Sequence, residues 1–424
     1  MTENYTGLSA AQAKELHAGL ERQYAAFQAR NLNLDMSRGK PCPEQLDLSD
    51  ALFDGAAAGF KSAGGADARN YGEMSGLAEM KQIFAELLGC KADSIVVAGN
   101  SSLNQMYDVI SMGMNFGMAD SETPWCRVPD RKFLCPVPGY DRHFRVTEHF
   151  GFELIPVNML DDGPDMDEVE RIAAADPSVK GIWCVPVFSN PSGAVYSAET
   201  VNRLASMRCA APDFTVMFDN AYCVHALYEA PPVLPDLLAA CENAGHPNRA
   251  FVFASTSKIT FAGAGVACVA SGKGNLDAYK KCVAVQTIGF DKVNQLLHAR
   301  FLKDRAHVVA HMKRHAEILA PKFRLVDETL TRELAGLGIA TWTKPRGGYF
   351  INFTVRPGAA KRIVALCAGA NVKLTPAGAA FPYGVEPEDS QIRIAPSYPT
   401  CDELRTACEL LCLCTKMAAL EQSM

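Results

Sequence analysis

The stretch AFVFASTSKITFAGAGVACVA, residues 250–270, decides the fold. Two short apolar runs, 250–254 and 265–270, flank the polar tetrapeptide Ser255-Thr256-Ser257-Lys258 and a glycine-rich segment. Continuous apolar runs this short, bounded by polar and glycine residues, read as strands buried on both faces. A lysine at the end of a buried strand does not reach solvent easily. Desolvation lowers its pKa and leaves a nucleophilic amine, the state a Schiff base needs. The two serines beside it are suitable phosphate donors. The bland alternative is a polar loop whose lysine snorkels outward.

Upstream the same kind of run recurs. Residues 95–98, 132–135, 153–157, 181–187 and 215–218 are strand-like. Helical spacing marks 76–89, 104–112, 167–175 and 198–208 between them. Strands alternating with helices imply right-handed crossovers and a mainly parallel sheet. The expected fold class is α/β: a large domain with a mainly parallel, mixed seven-stranded sheet flanked by helices, plus a smaller α+β domain. Residues 9–30 form an amphipathic helix opened by Ser9, followed by an irregular connector through Gly39, Pro41 and Pro43. Residues 292–320 read as one long helix that joins two domains. Strands at 339–342, 349–353 and 391–394 and helices at 358–369 and 401–420 complete the small domain. The boundaries are therefore 1–50 for an N-terminal arm and helix packing with the small domain, 51–290 for the large domain, 291–320 for the linking helix and 321–424 for the small domain.

Apolar residues make up 48% of the 424, charged residues 21%, and the formal net charge is −6, which is an ordinary globular composition. No basic surplus draws a nucleic-acid backbone or an anionic membrane, so neither is expected as a partner. No run of about 18 uncharged apolar residues offers a membrane span. The polar N-terminus lacks the apolar core of a signal peptide. Fifteen cysteines, an odd number set mostly in apolar runs, read as small buried hydrophobes in a reducing compartment. Cytoplasmic location follows as the expectation.

Further constellations lie at strand ends. Asp219 closes the strand TVMFD, where open α/β sheets bind ligands, and Tyr222 follows three residues later. A buried carboxylate there needs a cation such as a protonated pyridine nitrogen; the alternative is a helix N-cap. Asn190-Pro191-Ser192-Gly193 follows the strand-like IWCVPVFS and also fits a plain turn. Gly99-Asn100-Ser101-Ser102 precedes a helix whose N–H groups cradle a phosphate, unless Ser101 and Ser102 are a simple cap. Tyr140, after Pro138-Gly139, can stack on a flat ring. Arg393 sits inside the strand QIRI, where a bidentate carboxylate partner explains it.

Taken in order, Gly39, Tyr71, Ser101-Ser102, Tyr140, Asn190-Pro191-x-Gly193, Asp219-x-x-Tyr222, Ser255-x-Ser257-Lys258 and Arg393 resemble the fold-type I pyridoxal-phosphate-dependent aminotransferases of class I/II, over about residues 35–400. The wording of MSRGKPCPEQLDLS and STSKITFAGAGVA is similar to the bacterial aspartate aminotransferase subgroup Ic. The resemblance implies a pyridoxal 5'-phosphate coenzyme carried by Lys258, which would also shuttle the proton between Cα and C4′. It implies that Asp219 pairs with the pyridinium nitrogen and that Asn190 and Tyr222 bond the ring's 3′-oxygen. Tyr140 would stack on the ring. Ser101, Ser102, Ser255 and Ser257 would hold the phosphate, and Tyr71 would reach the phosphate of the other subunit of a homodimer with shared active sites. The Gly39 backbone, Asn190 and Arg393 would take the substrate α-carboxylate.

The implied reaction moves the amino group of L-aspartate to 2-oxoglutarate by a ping-pong mechanism, giving oxaloacetate and L-glutamate. Rival readings are a transaminase with an aromatic or alanine donor, and a lyase using the same coenzyme. A coenzyme-sensing regulator is disfavoured, because such proteins carry an added DNA-binding domain and only about 50 residues precede the large domain here. Two departures stand out. The family usually places an arginine about eight residues after the lysine, as a phosphate partner; this chain has Val266 there, and no arginine or lysine before Lys273. Nothing in 270–295 supplies an obvious cation for a substrate side-chain carboxylate. Arg38 and Lys40 are candidates, with solvated loop charges as the alternative, and Arg142 and His143 are weaker ones. His307, His311 and His315 recur every fourth residue, a metal-like spacing. Without an acidic ligand beside them they read as a solvated basic face, and no metal is expected.

Overall fold

The computed structural model describes residues 4–424, so the first three residues of the expected N-terminal arm lie outside it. The chain opens with α1 (Ala10–Ala29), β1 (Leu34–Asp35) and α2 (Pro43–Asp47). Ser9 and Gln12 form a capping box that starts α1. The helix α3 (Ala78–Leu88) stops at Gly89, whose φ of 72° is the left-handed conformation that glycine reaches without strain. Then follow β2 (Ile95–Ala98), α4 (Ser102–Asn115), β3 (Lys132–Val137), α5 (Asp141–His149), β4 (Glu153–Leu160) and β5 (Gly163–Pro164). Next come α6 (Met166–Ala175), β6 (Val179–Cys184), α7 (Ala198–Ser206), β7 (Thr215–Asp219), α8 (Leu237–Asn243), β8 (Ala250–Ser255) and β9 (Ala267–Ser271).

These strands form one sheet in the order β2-β9-β8-β7-β6-β3-β4-β5. Seven of them match the expected runs; the two-residue β5 extends the edge beside β4. The pairs β3·β4, β3·β6, β6·β7 and β7·β8 are parallel. Both β2 and β8 run antiparallel to β9, so they point the same way as each other. The carboxyl ends of β2, β3, β6, β7 and β8 therefore share one edge of the sheet. The strand order reverses between β3 and β6, and such a switch point opens a crevice for ligands. Each of β2, β6 and β7 is buried at every residue, because helices cover both faces of the sheet.

One ionic group under this sheet is buried. Lys180 Nζ lies 2.9 Å from Asp213 Oδ1, while Ser121 Oγ and the Trp125 indole donate to Asp213 Oδ2 at 2.6 and 2.8 Å. Asp213→Ala strands the Lys180 charge and is expected to cost about 3–5 kcal/mol of stability. Denaturant melts of the two proteins measure this; a difference below about 1 kcal/mol would show that water reaches Lys180.

After the sheet come α9 (Lys273–Gln286), α10 (Lys292–Leu302) and α11 (Arg305–Leu334). The single helix expected over 292–320 is thus two helices. Lys303 turns with φ 58°, Asp304 caps α11, and α11 continues through Pro321 for 30 residues. Burial of Leu319, Phe323, Val326, Leu330 and Leu334 offsets the interior proline. The chain ends with β10 (Ala340–Trp342), β11 (Ile351–Val355), α12 (Ala360–Gly369), β12 (Val372–Lys373), β13 (Gln391–Ile394) and α13 (Cys401–Glu421). An antiparallel sheet β10-β11-β13 packs with α11, α12 and α13 around a second core, and β1 pairs with β12. The helix α1 lies against this part of the molecule, with Tyr24 donating to Leu366 O at 2.7 Å. Among the described residues no helix is long and apolar enough to cross a membrane.

Candidate active site

A cleft of about 720 Å³ opens over the shared strand edge. Its lining includes Gly39, Ser101, Ser102, Tyr140, Asn190, Asp219, Tyr222, Ser255, Ser257, Lys258 and Arg393. Every expected residue except Tyr71 and His143 is there, together with Arg38, Lys40 and Arg142. Tyr71 is 77% exposed, outside the cleft of its own chain.

Lys258 follows β8, and its Nζ lies 5.0 Å from the centre of the Tyr222 ring. Burial lowers its pKa, with the Asp219 charge opposing that shift more weakly. With its Nζ over the buried Tyr222 ring and its side chain lining the cleft, the lysine does not snorkel outward. Asp219 ends β7, is 4% exposed, and no helix starts after it, so it is not an N-cap. His143 on α5 donates from Nε2 to Asp219 Oδ2 at 2.9 Å. Asp219 Oδ1 is buried with no hydrogen-bond partner. A buried carboxylate oxygen facing a cleft without a donor asks for one from a ligand.

His143 is not a substrate-side cation, contrary to the sequence expectation. It is buried and stacks on Trp183 at 4.5 Å and 11°, behind Asp219. The helical period of α5 turns position 143 inward and leaves Arg142 on the open side. Tyr140 precedes α5 and meets the His143 ring edge-on at 4.9 Å. Burial raises the phenol pKa of Tyr140 to about 12 and pushes that of Tyr222 well above its ordinary value, so both hydroxyls stay protonated and can donate.

Ser101 occupies the N-cap position of α4, yet its hydroxyl makes no cap bond. That hydroxyl and the first N–H groups of the helix face the cleft as an anion cradle. Ser255 Oγ donates to Ser257 Oγ at 3.2 Å nearby. Val266, where the resemblance places an arginine, is buried, and its N–H donates to Thr256 Oγ1 at 2.9 Å.

Gly39 and Arg393 meet across the Phe350 ring. A Cβ on Gly39 would sit 2.3 Å from Phe350 Cζ, so only glycine allows this approach. The Arg393 guanidinium lies 4.9 Å from the centre of the same ring. Its Nη1 donates to Asp141 Oδ1 at 2.9 Å and Asn190 Oδ1 at 3.4 Å, while Nε has no partner. Phe350 was not legible as a site residue; the glycine pair before it, Gly347-Gly348, was the available signal. Lys40 Nζ packs 3.6 Å from the centre of the Tyr398 ring.

The solvated basic face expected of His307, His311 and His315 is also corrected. His311 and His315 are buried, and only His307 is at the surface, beside Asp304. Both buried rings share the inward stripe of α11 with Val308, Met312 and Leu319, a helical spacing that signals burial. Among the described residues no cluster could hold a metal ion.

Residues 8–424 match the profile of the family described as aspartate amino-transferase. An aspartate aminotransferase of Corynebacterium glutamicum is 47% identical over 406 residues, which is 96% of this chain and 94% of that one. The crystal structure of an aspartate transaminase from C. glutamicum superposes with a TM-score of 0.97 at 45% identity, covering 100% of both chains. At 20% identity, the α-aminoadipate aminotransferase of Thermus thermophilus, solved with N-(5'-phosphopyridoxyl)-L-leucine, shares the fold with a TM-score of 0.74 over 97% of this chain and 99% of that one.

Proposed function

This chain belongs to the aspartate amino-transferase family, and on that premise we propose that it carries the amino group of L-aspartate to 2-oxoglutarate by a ping-pong course. The protein is an aminotransferase, and its coenzyme is pyridoxal phosphate. One observation carries the site assignment: Asp219 Oδ1, buried and unpartnered, shares a cleft with the desolvated amine of Lys258. The residues present fit the coenzyme. Pyridoxal phosphate, when bound, supplies an aldehyde that accepts amino groups and a pyridinium ring that draws electrons.

The side chains do the rest. Asp219 Oδ1 would accept the ring N–H, with His143 occupying the other oxygen. Asn190 and Tyr222 would donate to the ring's 3′-oxygen, and Tyr140 would stack on the ring. Ser101, Ser102, Ser255, Ser257 and the N-terminus of α4 would hold the phosphate, with Val266 standing where the resemblance places an arginine. Arg393 and the Gly39 backbone hold the α-carboxylate. Lys258, its pKa lowered by desolvation, would move the proton between Cα of the substrate and C4′. The partition of the chain into a coenzyme-binding part before residue 290 and a smaller part after 320 belongs to this proposal. So does location in the cytoplasm.

A homodimer completes the site in this reading. Tyr71 is exposed, and Gly72 backbone atoms lie beside Gly289, next to the exposed Ile288, so aromatic and aliphatic surface is grouped there. Such a patch suits a second copy of the chain, with Tyr71 reaching the partner's phosphate.

A coupled screen of twenty amino acids against 2-oxoglutarate tests the donor. Aspartate as the fastest donor supports the proposal; an aromatic or alanine preference overturns it in favour of a different transaminase. The cation for the substrate side chain is addressed by Arg38→Ala and Lys40→Ala. Each is expected to lower kcat/KM for aspartate and glutamate by about tenfold or more while sparing alanine, since a charge partner is lost only for the dicarboxylates. Equal losses on all three donors would remove both residues from the side-chain pocket.

A further inference from the structure

Three consecutive residues, Lys258, Ile259 and Thr260, are each tied to a different buried histidine. His225, in the turn after β7, lies with Nε2 3.2 Å from Lys258 O. His311, on α11, has Nε2 2.8 Å from Ile259 O. On α10, His298 Nε2 lies 2.8 Å from Thr260 Oγ1, and its Nδ1 lies 2.9 Å from Asn294 O. Only an N–H can face a carbonyl at such distances, so the partners fix the tautomers. His225 and His311 carry their proton on Nε2. His298 carries its proton on Nδ1 and accepts the Thr260 hydroxyl.

We propose that His225, His298 and His311 are positioning residues that fix the backbone of Lys258, Ile259 and Thr260 and thereby aim the Lys258 amine. The proposal rests on the assignment of Lys258 as the coenzyme-bearing lysine. The loop they hold is pinched at its base, where Thr256 N donates to Val266 O at 2.8 Å and Val266 N to Thr256 Oγ1. Beyond that pinch, Ile259 N and Thr260 N both donate to Thr256 O at 2.8 Å and close a turn, and the imidazoles seat that turn against the rest of the molecule through the Lys258 and Ile259 carbonyls. The holders are braced in turn. Gln45 donates from Nε2 to His315 Nδ1 at 3.0 Å and to the Tyr349 hydroxyl at 3.0 Å, and His315 packs on His311. His225 sits edge-on between Tyr222 and Tyr349.

Imidazole suits this task. Burial lowers the pKa of His298 and His311, and lowers that of His225 to about 3. All three are therefore neutral donors or acceptors at working pH. They grip the loop, two through its carbonyls and His298 through the Thr260 hydroxyl, without placing a positive charge beside an amine that must itself be neutral. A lysine or arginine in their place would bring such a charge.

The test uses the holoenzyme variants His225→Phe and His311→Phe, which keep a ring in each aromatic nest and delete the N–H. The conservative set is His225→Gln and His311→Gln, whose amide can donate to the same carbonyl. Displacing the lysine by a fraction of an ångström to 1 Å should lower kcat by about 10- to 100-fold, with KM for the amino donor and coenzyme affinity within about twofold. The visible circular dichroism of the bound coenzyme should weaken in the Phe variants, and the Gln variants should recover both signals. Thr260→Val, which leaves every imidazole in place, is a milder variant with the same expected direction should a Phe variant not fold. Borohydride reduction and peptide mapping run alongside. Label on Lys258 with kcat and dichroism unchanged, or with only the melting temperature lowered, overturns the positioning role. Label on another lysine overturns the assignment of Lys258 itself.

Discussion

Lys258→Ala is expected to lower turnover by at least about 10²–10⁴-fold, the contribution of a positioned general acid–base, with lost positioning adding to it. Coenzyme binding should survive, because Asp219, Asn190, Tyr222 and the serines that line the same cleft remain. The wild type should be yellow, and borohydride should fix the coenzyme to Lys258 and to no other lysine. In the variant the visible band should change, and an added amino acid should bind without completing the proton transfer at Cα. Small exogenous amines should restore a little activity by acting as a diffusing base. Single-turnover absorbance measurements with and without such amines check this. An unchanged spectrum with near-normal turnover would make Lys258 a structural loop residue and undo the assignments built around it.

Arg393→Ala should reduce kcat/KM by roughly 30- to several-thousand-fold, because truncating one member of a desolvated charged pair costs about 2–5 kcal/mol. The structure adds a reason for the size of the effect. The guanidinium is fixed over Phe350, its Nη1 is held by Asp141 and Asn190, and its buried Nε lacks a partner. A substrate carboxylate that took Nε would satisfy that donor, so substrate binding gains more than a surface ion pair would give. The loss should be similar for aspartate, glutamate and alanine, which share only the α-carboxylate. Asp141→Asn should produce a smaller change, since Arg393 keeps Asn190 and Phe350. A selective loss on the dicarboxylates in Arg393→Ala would reassign this residue to the side-chain pocket.

The large sheet and the residues on its edge are legible from local sequence pattern. Strands buried on both faces are mostly apolar, so runs such as Ile95–Ala98 and Val216–Phe218 announce themselves without reference to any partner. Chemistry-bearing residues that end such runs, Asp219 and Lys258 above all, were legible for the same reason: a strand end has nowhere to go but the sheet edge. Local signals also placed α1 and α3, through Ser9 as an N-cap and Gly89. Tertiary structure alone decided the rest. Over 292–320 the helical spacing runs on unbroken, and Asp304, the N-cap of α11, is the one local mark of the break at Lys303. His143, a candidate substrate-side cation from sequence, lies buried against Asp219, and His311 and His315 lie buried rather than in solvent, because composition near a residue says little about which neighbour its helix face will meet. Gly39, Phe350 and Arg393 are far apart in the chain, and their stacking depends on long-range packing that no local pattern encodes. Periodicity fixes which side of an element is buried; only the packed fold fixes what it is buried against.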